Sequence, residues 1–372
     1  MPDGRAELNT PDTGKPAELV KVSRDNPDME VIDRAGQILK KGGLVAFPTE
    51  TVYGLGGNAL DPEASRKIYA AKGRPSDNPL IVHIAEMDSL KPLVEGEIPP
   101  GARALAARFW PGPLTMIFPR TSIVPIQTTG GLESVAVRFP SDPVAQALIR
   151  AGGGYVAAPS ANSSGRPSPT TAQHVQEDLG NRIDMILDAG PVRIGLESTI
   201  VDFTTAPPQI LRPGFISLDM LRRILGDVDM DPALEHPQEI SRPRAPGMKY
   251  RHYAPRARMT IIEGEEESVA AEILKRVCTD SRQGLKTGIL AAEEHLSLYS
   301  SRLLEAEVSC DLKCAGSLEQ EETIAHSLYD CLRAFDADSV DRIYSEAFYT
   351  PQLGTAIMNR LRKAAGQDIV RL

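Results

Sequence analysis

Between about residues 43 and 83 the chain is punctuated so densely that few folds can accommodate it. Leu44 to Phe47 is a short apolar run, the pattern of a buried strand, and Pro48 ends it because proline cannot donate to a sheet ladder. A polar, glycine-dense turn is expected at Gly54-Leu55-Gly56-Gly57-Asn58-Ala59. Asp61 then stands at an N-cap position and Pro62 at the first helical position, and Ala64, Ile68 and Ala71 recur at helical spacing until Gly73 supplies a C-cap. Leu80 to Ile84 starts a new strand that carries His83. Lys72, Arg74 and Asn78 are thereby left at a helix end and on its exit loop. Two cations and an amide donor on an anchored loop suit a polyanion such as a nucleotide phosphate chain.

Length and charge bound the rest. At 372 residues the chain exceeds one comfortable core, so two domains are expected. Lys and Arg number 41 against 50 Asp and Glu, a net charge of -9, which excludes a general nucleic-acid coat and confines any polyanion site to a local pocket. No apolar run is long enough to cross a bilayer, and the opening MPDGRAELNTPDTGKPAE lacks the apolar core of a signal peptide, so no membrane partner and a cytoplasmic address are expected. The cysteines are Cys278, Cys310, Cys314 and Cys331; Cys310 and Cys314 have no histidine nearby, which favours free or buried thiols over zinc.

In chain order, residues 1–24 read as a mobile tail and Asp33 to Lys41 as a short helix. Gly54 to Ala59 fits the loose G-x-G-x-x-A dinucleotide fingerprint, but the strand closes several residues too early and no acidic ribose partner follows, so a nicotinamide site is disfavoured. Ala102 to Phe109 reads as a helix, Leu114 to Phe118 as a strand. The letters Gly-Leu-Glu-Ser recur before a β-branched run at 131–134 and 195–198, placing Ser134 and Ser198 at loop-to-strand junctions. Arg138 and Arg212 are cations at strand ends, a usual location of sites in open α/β sheets. After the apolar run Val156 to Pro159 comes SANSSGRPSPTT, an anion cradle by composition, and Ser168 to Thr171 can cap the helix that runs to Leu179. Residues 227–258 read as a linker whose latter part carries Arg242, Arg244, Lys249, Arg251, Arg256 and Arg258 interleaved with Tyr250, His252 and Tyr253: a basic strap across an anionic ligand. From 259 to 372, alternating strands and helices predict a small parallel α/β unit with no catalytic constellation of its own.

The motifs PTETVYGLG, KGRPSDNPL followed by IVH, PSANSSG, ESTIVD and ILRPG resemble those of the threonylcarbamoyl-AMP synthase family. Lys72-x-Arg74 and the distant Ser160-x-Asn162 are the pair that carries most weight, and the arginine-rich stretch with the chain length resembles the long, two-domain form. The resemblance implies an α/β fold: a YrdC-like twisted open-sheet catalytic domain at 25–226, the linker, then a smaller Rossmann-like α/β domain. It implies that L-threonine, bicarbonate and ATP give threonylcarbamoyl-AMP and pyrophosphate, a nucleotidyl transfer supplying a tRNA modification, with transient contact to a tRNA threonylcarbamoyl transferase. It assigns catalysis to Lys72 and Arg74, the nucleotide to Arg74, Asn78, Ser134, Ser160, Asn162, Ser168, Arg212, His252 and Tyr253, and threonine to Thr51, His83, Arg138, the backbone at Ala158, and Ser198. Mg2+ is expected to arrive with ATP, because the motifs hold no tight carboxylate cluster. Without the motif, His83 on an apolar strand reads as a core histidine. The alternatives are an RNA-binding module and another carbamoyl-transfer enzyme with a related domain.

Overall fold

The computed structural model describes residues 15–234, 243–248 and 252–372. In chain order the first part contains β1 (Glu18–Lys21), α1 (Met29–Lys40), β2 (Val45–Phe47), β3 (Gly54–Asn58), α2 (Pro62–Lys72), β4 (Ile81–His83), α3 (Pro100–Phe109), β5 (Leu114–Pro119), β6 (Ser134–Arg138), α4 (Pro143–Ala151), β7 (Val156–Ala157), α5 (Ala172–Leu179), β8 (Met185–Asp188), β9 (Thr199–Asp202), β10 (Gln209–Arg212), α6 (Leu218–Leu225) and β11 (Asp229–Met230). The strands bond in the order β1-β8-β2-β3-β7-β4-β6-β5-β9-β10-β11, mixing parallel and antiparallel neighbours.

Three expectations need correction. The helix expected from Asp33 begins at Met29, because Asp28 caps the amides of Glu30 and Val31; Met29 is exposed and shows no apolar period. Part of the expected tail, Glu18–Lys21, is an edge strand parallel to β8, whereas residues 1–14 lie outside the described residues. The Gly-rich stretch is strand β3 rather than a turn. A Cβ on Gly56 would stand 3.0 Å from both Phe47 and Val156, and one on Gly57 would stand 3.0 Å from Ile68, so these glycines let the strand approach its neighbours. Helix α2 forms as its caps dictate, from Asp61 to Gly73 at φ +61°.

Register decides which residues share a face. Ile81 pairs with Ala136 and His83 with Arg138; Thr115 also pairs with Arg138, and Ile200 pairs with both Thr115 and Arg212. With side chains alternating along each strand, His83, Arg138, Thr115 and Arg212 project from one face of the sheet. The opposite face is sealed by helices over a core that includes Val82, Val137, Met116 and Val201. On the functional face, Ala245 and Met248 of the strap pack on Ile81, Ala136, Ile117 and Ile200.

The second part is β12 (Arg258–Glu263), α7 (Glu266–Arg282), β13 (Thr287–Ala292), α8 (Leu296–Glu305), β14 (Asp311–Gly316), α9 (Glu321–Ala337), β15 (Arg342–Glu346), α10 (Gly354–Ala364) and β16 (Ile369–Arg371). Its strands are all parallel, in the order β14-β13-β15-β12-β16. Helices α7 and α8 close one side. Helices α9 and α10 close the other and share a core with Val52, Leu196 and Tyr253 from the first part and the strap. Buried Arg333 on α9 also pairs with Asp178 on α5 at 2.9 Å.

Gly36, in the middle of α1, touches the C-terminal end of α4: a Cβ there would lie 2.6 Å from the Ala151 backbone carbon. Alanine gains about 1 kcal/mol of helix propensity over glycine, but displacing a packed backbone costs about 1–3 kcal/mol, so the clash wins. Gly36→Ala should lower the urea midpoint; a raised midpoint would show that the two helices can separate freely.

Candidate active site

The face of the sheet and the strap line a narrow cavity of about 50 Å³. Arg74, His83, Arg138, Ala158, Ser160, Asn162, Ser198, Arg212, His252 and Tyr253 all border it, so most expected site residues converge. Lys72, Asn78, Thr51 and Ser168 stand one layer behind the wall. Ser134, at the other end of β6 from Arg138 and paired with Pro119, does not border it.

Burying four cations here costs solvation, and each is held by acceptors, those of Lys72 and Arg138 far away in sequence and those of Arg74 close by. The Lys72 ammonium donates to the carbonyls of Ser160 and Asn162, both at 2.5 Å. This ties the end of α2 to the serine-rich loop. Burial, then nearby Arg74, pulls its pKa well below the usual lysine value. Arg74 donates to Asn78 Oδ1 at 2.6 Å and to the carbonyls of Asn78 and Pro79, and burial lowers it to about 10. Arg212 holds the Ser198 carbonyl at 3.0 Å and its Oγ at 3.1 Å. Ser198 Oγ in turn shares a hydrogen bond with Thr115 Oγ1 at 2.7 Å.

Two carboxylates that sequence reasoning passed over complete the balance. Glu50, inside the PTET motif, accepts from Arg138 at 2.7 Å, with both side chains nearly buried. Glu197 borders the cavity and accepts from Ser168 Oγ at 2.5 Å, from Tyr329 Oη at 2.9 Å and from Arg360 Nε at 3.0 Å. Burial raises its pKa, but the cations Arg360 and Arg212 outweigh that and bring it down to about 2. The available signal for both is an acid directly beside a hydroxyl residue assigned to the site, Glu50 before Thr51 and Glu197 before Ser198. The partners of Glu197 on α9 and α10, Tyr329 and Arg360, carry no such signal.

The strap differs from the expected basic one. Arg244 turns away to Asp202 and Asp231, Arg258 pairs with Asp368 on the second sheet, and Arg242, Lys249, Tyr250 and Arg251 lie outside the described residues. What the strap's described residues bring to the cavity is Pro246, Gly247, His252 and Tyr253. His252 Nε2 and Arg138 Nε are buried without a partner, and both belong to cavity-lining residues. Orphan buried nitrogens of this kind are what a ligand satisfies. His83 donates from Nδ1 to the Ile81 carbonyl at 3.1 Å. Burial first, then Arg138 for His83 and Arg74 for His252, lowers both imidazoles to about 3, so they stay neutral at physiological pH. The chemistry available is therefore a cationic, largely dry wall with neutral hydrogen-bonding rings, suited to binding two anions side by side. Among the described residues no cluster of acidic, histidine or cysteine side chains could hold a metal ion, and Glu197 at the cavity and Glu50 behind Arg138 are each committed to an arginine. No helix of the described residues is long and apolar enough to cross a membrane.

Two family models match the chain. One, for Sua5, YciO and YrdC proteins and described as telomere recombination, covers residues 37–214; the other, described as threonylcarbamoyl-AMP synthase, C-terminal domain, covers 216–366. The chain is 44% identical to the threonylcarbamoyl-AMP synthase of Pyrococcus abyssi over 338 residues, 91% of this chain and 95% of that protein. It is 46% identical to the Bacillus subtilis protein of the same name over 341 residues, 91% of this chain and 94% of that one. The crystal structure of P. abyssi Sua5 complexed with L-threonine is similar with a TM-score of 0.88 at 42% identity, covering 95% of this chain and 99% of that chain.

The buried imidazoles make acid stability a test of this geometry. In the unfolded chain a histidine protonates near 6.5, whereas His83 and His252 do so only at about 3. Between those values the unfolded state binds more protons, so stability present above pH 6.5 is lost as pH falls toward 3. A His83→Gln/His252→Gln variant should show a flatter decline in unfolding free energy between pH 6.5 and 4.5. An unchanged slope would mean that neither ring is held neutral. Glu197 adds a separate loss, from 4.5 down to about 2.

Proposed function

The chain belongs to the threonylcarbamoyl-AMP synthase family and is an enzyme of that class, and from that premise we propose that the cavity seats L-threonine beside ATP and joins them through bicarbonate. The observation that carries this reading is the excess of buried positive charge on one sheet face: Lys72, Arg74, Arg138 and Arg212 against Glu50 and Glu197, with donors left over. Such a wall favours anions, and the reaction brings an amino-acid carboxylate, a carbamate and a triphosphate together. The threonine bound in the related archaeal structure supports the choice of amino acid.

The amine of threonine and bicarbonate combine with loss of water to a carbamate. A carbamate oxygen then attacks the α-phosphorus of ATP, the bond to the bridging oxygen breaks, and pyrophosphate leaves with the electron pair. No side chain needs to act as nucleophile, so the enzyme's contribution is orientation, charge and exclusion of water from a labile carbamate. Arg138 takes the threonine carboxylate while Glu50 keeps its guanidinium aimed, and His83, Ser198 and Thr51 serve the substrate hydroxyl with the Ala158 backbone. Arg74, Asn78, Ser160, Asn162 and Arg212 serve the nucleotide, Ser134 from the far end of β6 and Ser168 through Glu197. Lys72 braces the Ser160–Asn162 loop and adds charge behind the phosphates. His252 and Tyr253 cover the nucleotide from the strap. Magnesium belongs to the substrate, carried on the ATP phosphates. The product serves threonylcarbamoylation of tRNA in the cytoplasm, through transient contact with the transferase that consumes it.

Lys72→Ala and Arg74→Ala should each lower threonine-dependent pyrophosphate release by about 100-fold or more while circular dichroism stays native. Unaltered release would remove both from the site. Calorimetric titration of amino acids with a non-hydrolysable ATP analogue should give heat with threonine first; silence toward every amino acid would overturn the assignment.

A further inference from the structure

Every group assigned to substrates above lies before residue 254, yet Glu197 and Gly247, which border the cavity, are both held from behind by α10. Arg360 on that helix is 0% exposed. A guanidinium buried so fully must find partners for its donors. Nε donates to Glu197 Oε2 at 3.0 Å, one terminal nitrogen to the Glu197 carbonyl at 3.3 Å, and the other to the Pro213 carbonyl. Its guanidinium carbon also lies 6.0 Å from the centroid of the Tyr253 ring, which packs 5.3 Å from Tyr329 on α9. Tyr253 has φ +65°, a left-handed conformation that a tyrosine keeps only where its surroundings over-determine it. One turn beyond Arg360, Lys363 donates to the Gly247 carbonyl of the strap at 2.6 Å. Helix α10 thus grips the loop before β9, the loop after β10 and the strap.

We infer that Arg360 is a positioning residue for the reaction: it neutralises Glu197 and backs Tyr253, so that Arg212 stays turned toward Ser198 and the nucleotide rather than toward Glu197. The inference rests on the proposed function of the cavity. Its physical core is a competition for one buried anion. The Glu197 carboxylate feels most strongly Arg360, which is bonded to it, and next Arg212, which is bonded to Ser198, with Lys363 a further cation tied to the Gly247 carbonyl. A buried carboxylate stripped of its paired cation is strongly unstable and recruits the next one available. Without Arg360 that cation is Arg212, and its departure removes a donor from the nucleotide end of the cavity. The carboxylate end of the threonine site, built on Arg138 with Glu50, stands on a separate pair, whereas Ser198 at its hydroxyl end shares Arg212 with the nucleotide.

The inference is tested with the full-length protein. Arg360→Met should raise the KM for ATP by about tenfold or more, the worth of one charge-assisted hydrogen bond, and raise the KM for threonine by clearly less, because only Ser198 of that end leans on Arg212. Adding Glu197→Gln removes the competing anion, so R360M/E197Q should recover most of the loss. R360K, which keeps the charge without the fork, should fold and show a smaller rise, again larger for ATP than for threonine. An equal rise in both KM values, or a double variant no better than R360M, would overturn the inference. Should the wild type release no pyrophosphate with threonine, the proposed function fails instead. Amide exchange then decides the present point: residues 197–199 and 252–254 should lose protection in R360M and regain it in R360M/E197Q, and unchanged exchange refutes the role of Arg360.

Discussion

Positive charge buried on one face of the N-terminal sheet is the constraint that the rest of the molecule answers to. A cation removed from water without compensation costs several kcal/mol, and here four are nearly buried. Local sequence cannot supply the acceptors: apart from the short-range grip of Arg74 on Asn78 and Pro79, each partner is brought by the fold. Lys72 is held by carbonyls some ninety positions later, |i−j| = 88 and 90, and Arg138 by Glu50 at |i−j| = 88. The sheet register, which sets His83 against Arg138, and the bridge between Gly54 and Ser160 are what put these groups within reach. The site is therefore a property of strand order, and of α2 ending where Gly73 ends it.

A charged face cannot be left open and dry at once, which accounts for the strap and the second sheet. Small and apolar strap residues, Ala245 and Met248, seal the part of the face beyond the cavity, while the strap's arginine Arg244 is spent on Asp202 and Asp231 at the sheet's margin. The two aromatic residues that reach the cavity cover it without adding charge. Helices α9 and α10 then close the outer side with paired ions, Arg333 to Asp178 and Arg360 to Glu197, rather than with an apolar surface alone. Charge pairs of that kind demand one geometry, which a greasy contact does not.

What the sequence disclosed follows from how local each signal is. Caps and breakers around α2, the β-branched runs, and the parallel alternation of the second unit are written in neighbouring residues and formed as expected. Strand β3 was misread because glycine marks turns in isolation, whereas here its missing side chain admits Phe47, Val156 and Ile68. Strands β1, β14 and β16 stand at sheet edges with partly exposed residues, so they carry no clear alternation of buried and polar positions. The strap was read from its charge, but most of its described cations face acids elsewhere in the fold. Ser134 and Ser198 looked equivalent as junction residues, and only the register separates them.

That last pair shows where local information ends. Gly-Leu-Glu-Ser occurs twice, each time ahead of a strand. In the first copy Glu133 keeps 83% of its side chain in solvent and meets Arg120 at the surface, where an ion pair contributes about 0–1 kcal/mol. In the second copy Glu197 keeps 7% and meets a fully buried arginine. The letters are the same and the energetic consequences are opposite, because the second copy faces a helix whose sequence lies more than a hundred and fifty positions away, |i−j| = 163. A buried carboxylate at that point is tolerable only with α10 in place. The second sheet is thus part of the electrostatic definition of the cavity, although it contributes no group assigned to a substrate.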